Sequence, residues 1–228
     1  MYPFVHLHVH SQYSLLDGQA SISKLIDKAI ADGMPGIALT DHGNMFGVKE
    51  FFNYVKKKNG ARKEKIKTLQ ALIARLEDGS ATDEEKGEDP SAALAKARLE
   101  LDGIPKADFK GIIGCEVYVA RRRLFNKEKA MGDFSGNHLI LLAKNMKGYK
   151  NLIKIVSKAY TEGSYGRPRT DRVELEKYHE GLICCSACIG GEIPRFIREG
   201  KIAEAKEAAL WYKSIFARCP DTSPNSSL

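Results

Sequence analysis

No stretch of the 228 residues approaches the 18 or so uninterrupted apolar positions that a membrane-spanning helix needs. The N-terminus, MYPFVHLHVH, lacks the basic and apolar regions of a secretory signal. Both absences argue for a cytoplasmic protein with no membrane partner. Cysteine is scarce and odd in number: Cys115, Cys184, Cys185, Cys188 and Cys219, three of them within five residues. That is a poor disulfide framework, so reduced thiols are expected, with at most one acting as a ligand. Regular structure is lacking at residues 217–228, where ARCPDTSPNSSL shows no helix or strand period; a disordered tail is expected there.

What is present is a chain long enough to bury a substantial core, with 43% hydrophobic and 29% charged residues. Its net charge of +7 suggests an anionic partner. Residues 61–110 hold 10 Lys/Arg and 11 Asp/Glu, so the positive excess belongs to the rest of the chain. It is concentrated in ARRRLFNKEK (120–129) and GRPRTDR (166–172). Either could be solvated surface or could meet nucleic-acid phosphates, and Arg167 and Arg169 are the candidate phosphate contacts.

The stretch FVHLHVHSQYSLLDG (4–18) carries histidines at 6, 8 and 10 and an aspartate at 17. On a strand, side chains alternate faces, so the three imidazoles point one way, about 6.6 Å apart, and Val5, Leu7 and Val9 point the other. A half-buried strand with a His-rich polar face is one reading. A metal site is the other, because histidine is the commonest metal ligand.

Strands and helices alternate after this segment. SISKLIDKAIADG has an N-cap at Ser21, apolar residues at 22, 25, 26, 29 and 30, and a terminating Gly33, the marks of an amphipathic helix. PGIALTDHG reads as a buried strand, and Asn44 is placed to cap a helix through MFGVKEFFNYVKKK. Further strands are expected at 111–120, 138–143 and 181–187, with helices at 148–160 and twice between 191 and 217. The alternation favours parallel strands covered by helices, as a barrel or a doubly wound sheet. Residues 59–107 break the rhythm with two charged helices, the second capped by Asp89 with Pro90 at its first position, joined by the mobile linker expected at 78–89. They read as an inserted helical hairpin.

Active sites of parallel α/β folds lie at the carboxyl ends of strands. His8, His10, Asp17, His42, Glu116 and Cys188 all fall at or near such positions. His138 opens its strand and by spacing is a capping or core residue as readily as a ligand, whereas His179, in a charged helix, is expected at the surface.

HLHVHSQYSLLDG, ALTDHGNMFG, GCEVYVA, NHLILLAKN, RPRTD and CSACIGGEIP together resemble the polymerase and histidinol phosphatase (PHP) domain found at the N-terminus of bacterial replicative polymerases of the DNA polymerase III alpha type. The resemblance covers residues 1–58 and 108–216. It implies a distorted TIM-like (β/α) barrel and the metal ligands His8, His10, Asp17, His42, Glu116, His138 and Cys188, and so settles His138 as a ligand. His6 stands where many relatives have Asp and is expected behind the ligands. Imidazoles with carboxylates suit Zn²⁺, Mn²⁺ or Fe²⁺ and are too nitrogen-rich for Ca²⁺. Seven candidates exceed the needs of one tetrahedral ion, so a cluster of two or three is implied. Such a cluster hydrolyses phosphoesters, which in this family means removal of nucleotides from a DNA 3′ end.

The resemblance also implies partners: DNA, the remainder of a polymerase alpha chain and other replisome subunits. The family's last ligands, an Asp-x-His pair on a later strand, are not found, nor are polymerase domains, so the barrel is expected to be incomplete at its C-terminus and unable to polymerise DNA alone. Two other readings remain: a free-standing phosphatase of a small phosphomonoester, and a non-catalytic replisome scaffold.

Overall fold

The computed structural model describes residues 4–15, 17–87 and 89–217. The expected tail, 217–228, and Cys219 lie outside the described residues beyond Ala217. Two compact units are present: residues up to Phe51 with those from Gly111 onward, and Phe52–Lys110.

The first unit is built on a mixed five-stranded sheet. Strands β1 (Gly36–Leu39), β2 (Lys110–Val119), β3 (Asn137–Ala143) and β5 (Leu182–Cys185) lie side by side in that order, and the two-residue β4 (Arg169–Thr170) pairs with β2. β2 with β3 and β3 with β5 are antiparallel, β2 with β4 parallel. The strands expected in PGIALTDHG and at 111–120, 138–143 and 181–187 are found, but the all-parallel arrangement is not. Only 17 residues separate Val119 from Asn137 and they contain no crossover helix longer than the 3₁₀ turn Lys129–Met131, whereas a parallel return needs a covering helix.

Alternation along the strands divides the sheet into two chemical faces. Cys115, Val117 and Val119 of β2 and Leu139 and Leu141 of β3 point to one side. There they meet Leu152, Ile155 and Val156 of α5 (Met146–Thr161), Leu175 of α6 (Arg172–Tyr178) and Tyr212 of α8 (Ile202–Phe216). Leu152 and Ile155 are fully buried, and truncating either to Ala would cost about 2–5 kcal/mol. Helix α5 can seat this closely because Gly148 has no side chain; a Cβ there would stand 1.8 Å from the Gly181 carbonyl oxygen. Cys184 packs with this core and Cys185 with a smaller cluster of Ala38, Ile140 and Leu142 on the other face, as alternation along β5 requires. Burial pushes the Cys184 thiol up to about 12.

Local signals explain most boundaries. Ser21 accepts a hydrogen bond from the Lys24 N–H to start α1 (Ile22–Ala31), which buries Ile22, Ile26 and Ala29 at helical spacing. Asn44 does not cap α2, which runs unbroken over Val48–Asp78. Its amide donates instead to the Tyr13 and His42 carbonyls and its Oδ1 accepts from Phe46 N–H, tying two site-bearing loops together. In the second unit, α3 (Asp83–Lys86) is held by a Thr82–Glu85 capping box, so the acidic linker carries a helical turn, and Asp89 caps α4 (Pro90–Asp102). Asn59 bonds both backbone polar groups of Phe109, and Arg62 pairs with Asp108. Among the described residues no helix is long and apolar enough to cross a membrane.

Candidate metal centre

The face of the sheet opposite the main core carries the polar residues. Glu116 and Tyr118 alternate with the core residues of β2, and antiparallel pairing sets Tyr118 directly opposite His138. Their rings meet edge to face, centroids 5.1 Å apart. β1 continues beside β2 through Thr40–Gly43: Glu116 N–H donates to the Asp41 carbonyl, Gly43 N–H donates to the Glu116 carbonyl, and His42 bridges Glu116 in the parallel sense.

Residues 4–10 do not form the regular strand expected. They lie along β1, with Ala38 N–H donating to the His6 carbonyl and Thr40 N–H to the Val9 carbonyl. Three residues on one chain thus span two on the other, and the extra residue breaks the alternation. His6 is exposed, and His8 and His10 face Glu116. The irregularity separates one imidazole from the other two.

Glu116 is the centre of the cluster, its side chain 1% exposed. His8 Nε2 lies 2.5 Å from Glu116 Oε2, and His10 Nε2 lies 3.1 Å from the same oxygen. His138 Nδ1 contacts Oε1, and His42 Nδ1 stands 3.4 Å from it. His42 Nε2 meets Asp17 Oδ2 at 2.8 Å, and Cys188 Sγ is 3.6 Å from His138 Nδ1. His10 and His42 stack with centroids 4.0 Å apart. All seven candidate ligands therefore join one connected cluster. Burial pushes the Glu116 carboxyl up, but the surrounding His10, His138 and His42 imidazoles outweigh it and hold it well below the usual carboxylate range. Glu116 in turn raises His42, against the opposing effect of burial.

Two arrangements position the outer members. Ala187, immediately before Cys188, takes a left-handed backbone with φ 62°, a conformation that costs a non-glycine residue about 1–2 kcal/mol and directs the chain out of β5. Asp17, 59% exposed on its side chain, sits at the mouth of a cavity of about 330 Å³ lined also by His42, Tyr118, Ser135, Gly136, His138 and Arg167. Burial pushes the Tyr118 phenol up to about 12, so this wall is uncharged at neutral pH. The Arg167 guanidinium lies 5.5 Å over the Tyr118 ring.

Arg169 is not at the cavity. Its side chain is fully buried and donates to the carbonyls of Gly163, Leu124, Asn126 and, at a short contact, Asp133. With four of its five N–H donors on backbone carbonyls and its side chain fully buried, it braces the 121–136 loop rather than meeting a phosphate. His179 caps the end of α6, its Nδ1 beside the Glu176 carbonyl.

The sequence reading passed over Ser11, Ser14, Asp41 and Tyr118. Period two along β2 would have placed Tyr118 beside Glu116. Asp41, 1% exposed, accepts from Ser11 N–H, Ser11 Oγ and Ser14 Oγ, contacts that residue spacing does not reveal.

The donor set fits divalent cations. His8, His10 and Glu116, and separately Glu116, His138 and Cys188, each present ligand atoms within 4.8 Å of one another. His42 Nδ1 is buried without a hydrogen-bond partner among the described residues, and Glu116 Oε1 has none apart from the close contact with His138 Nδ1, an arrangement that is costly unless something else satisfies them. Nitrogen, carboxylate and thiol donors suit Zn²⁺, Mn²⁺ or Fe²⁺.

Comparison with known proteins places this geometry. Residues 6–219 match the PHP domain family. The chain is 44% identical over 214 residues to the DNA polymerase III subunit alpha of Borreliella burgdorferi, covering 93% of this chain and 14% of that protein. It is 37% identical over 213 residues to that of Treponema pallidum, covering 93% and 14%. Against that of Thermus aquaticus it is 36% identical over 208 residues, covering 89% and 13%. The chain thus spans about one-seventh of the length of these curated relatives.

Proposed function

The chain belongs to the PHP domain family, and on that basis we propose that it is the PHP portion of a DNA polymerase III alpha subunit, a replication protein, and holds a metal-dependent phosphoesterase site acting as a 3′-to-5′ exonuclease. The observation that supports this most is Glu116, a buried carboxylate encircled by His8, His10, His42 and His138. Those five residues with Asp17 and Cys188 would hold two or three ions of Zn²⁺, Mn²⁺ or Fe²⁺. Such ions, when bound, supply Lewis acidity toward a phosphoester and its attacking water.

The chain's own residues do the rest. Arg167, exposed and lining the cavity with Asp17, His42 and His138, binds a phosphate oxygen of the substrate by a charge-assisted hydrogen bond. Tyr118 forms an uncharged wall that leaves the anion to Arg167. We place the mixed sheet within a distorted TIM-like (β/α) barrel, a reading supported by the family match, and residues 59–107 as its helical insertion, a reading supported by the separate compact unit Phe52–Lys110. The parent protein would work on DNA in the cytoplasm with other replisome subunits, its polymerase chemistry lying in the part of the relatives that this chain does not cover.

The test combines elemental analysis of the purified chain with hydrolysis of a 3′-labelled single-stranded oligonucleotide in Mn²⁺. Stoichiometric metal and stepwise 3′ release, lost on chelation, are expected, with Arg167→Ala raising KM roughly tenfold through its lost phosphate bond. A chain that binds no metal supports the scaffold reading and overturns this one. Hydrolysis of p-nitrophenyl phosphate without any of the oligonucleotide turns it into a small-molecule phosphatase.

A further inference from the structure

Ser14 lies between three groups of the site. Its Oγ is 2.7 Å from Asp41 Oδ1 and 3.2 Å from His10 Nδ1, and it accepts a hydrogen bond from the His42 N–H at 3.0 Å. A serine hydroxyl has one proton and two lone pairs. The His42 amide takes one lone pair, leaving the proton and the other lone pair to be divided between Asp41 and His10.

Asp41 decides the division. A carboxylate can only accept, and Oδ1 receives the Ser11 N–H at 2.6 Å while Oδ2 receives the Ser11 hydroxyl at 2.9 Å. The Ser14 proton therefore goes to Asp41 Oδ1. The reverse arrangement would leave two oxygens 2.7 Å apart with no proton between them, in a place where Ser14 and Asp41 are both buried. With its proton committed to Asp41, Ser14 can offer His10 only a lone pair, so His10 Nδ1 must carry a proton.

We infer that Ser14, oriented by Asp41, is a positioning residue that keeps a proton on His10 Nδ1 and so aims Nε2, the nitrogen left to exchange its proton for a cation, toward Glu116 and His8. His10 Nε2 stands 3.1 Å from Glu116 Oε2 and 3.0 Å from His8 Nε2, on the side where the donors converge. Metal-binding imidazoles generally need their second nitrogen held by such a partner. The same serine anchors the His42 backbone, so one hydroxyl sets the nitrogen that His10 presents and the position from which His42 enters the cluster. The inference rests on the metal reading only in what Nε2 is for; the Nδ1 proton itself follows from the Ser14 hydrogen bonds, and Nε2, 3.1 Å from Glu116 Oε2, is free to carry a proton until a cation replaces it.

The experiment is a long-range ¹H–¹⁵N correlation spectrum of the metal-free 228-residue chain, paired with calorimetric titration of Zn²⁺ and Mn²⁺. The wild type should show His10 as Nδ1–H. Ser14→Ala should lose that preference and bind the ions about 10–100-fold more weakly, and Ser14→Thr, which keeps the hydroxyl, should restore both. Asp41→Asn should shift His10 toward Nε2–H, because the amide can donate to Ser14 Oγ and release its proton for His10 Nδ1. A wild-type spectrum showing an unprotonated His10 Nδ1 overturns the inference without any variant, which guards against variants that fail to fold. A folded Ser14→Ala chain with wild-type tautomer and affinity also overturns it. If the wild type shows Nδ1–H yet binds neither ion, the tautomer lock is supported and the metal reading fails.

Discussion

His42 Nδ1 and Glu116 Oε1 lie 3.4 Å apart, both buried, and His42 Nδ1 has no hydrogen-bond partner among the described residues. A buried nitrogen left unpaired in this way forgoes about 1–3 kcal/mol. A bound cation would recover it.

Divalent metal should therefore stabilise this chain. At a free Mn²⁺ or Zn²⁺ concentration a hundred times the dissociation constant, linkage gives about 2.7 kcal/mol, and the melting temperature measured by calorimetry should rise accordingly and fall again with chelator. Glu116→Gln should abolish the metal-dependent rise, since the amide keeps the size of the side chain and loses its charge. A rise that persists in Glu116→Gln would place the ion elsewhere.

Arg169 should matter for stability. Its removal leaves the carbonyls of Gly163, Asp133, Leu124 and Asn126 without their donor in a buried setting. Arg169→Met should cost about 3–5 kcal/mol in urea unfolding. Arg167→Ala, at an exposed position, should change stability by about 0.5 kcal/mol or less. Comparable losses from the two would contradict the division of roles.

Asp171 should contribute to stability in a pH-dependent way. Burial pushes its carboxyl up, but Arg123 and the N–H groups of Leu124 and Glu174 outweigh burial and hold it below its ordinary value. The unfolded chain therefore takes up this proton first as pH falls. The contribution is complete above the unfolded aspartate value of about 3.9 and is lost as pH drops below it toward the depressed folded value. Asp171→Asn should be less stable at pH 7 by about 1–3 kcal/mol, and the gap should narrow in unfolding curves recorded below about pH 4.

Much of the site was legible because its residues sit on regular elements or in motifs a few residues long. Glu116 and His138 could be located by strand and Ser21 and Asp89 by their caps, since each depends on neighbours close in the chain. Strand direction was not legible. A β/α rhythm favours parallel pairing, yet the 120–136 connection between β2 and β3 returns the chain without a long helix. Nor was the extra residue between His6 and Val9, which only pairing with β1 reveals, or the burial of Arg169, which in sequence is indistinguishable from its neighbour Arg167. The role of Asn44 depended on carbonyls of Tyr13 and His42 that the loops bring together only once folded.

The alternation along β2 also makes the segment intolerant of changes in length. Cys115 and Val117 fill the apolar layer while Glu116 and Tyr118 face the histidines, so a single residue inserted between Gly114 and Glu116 would turn a carboxylate into the oil and a valine toward the imidazoles. Point substitutions can affect the core or the metal cluster separately. An insertion or deletion in this strand would damage both at once, so sequence drift here is confined to exchange of one side chain for another.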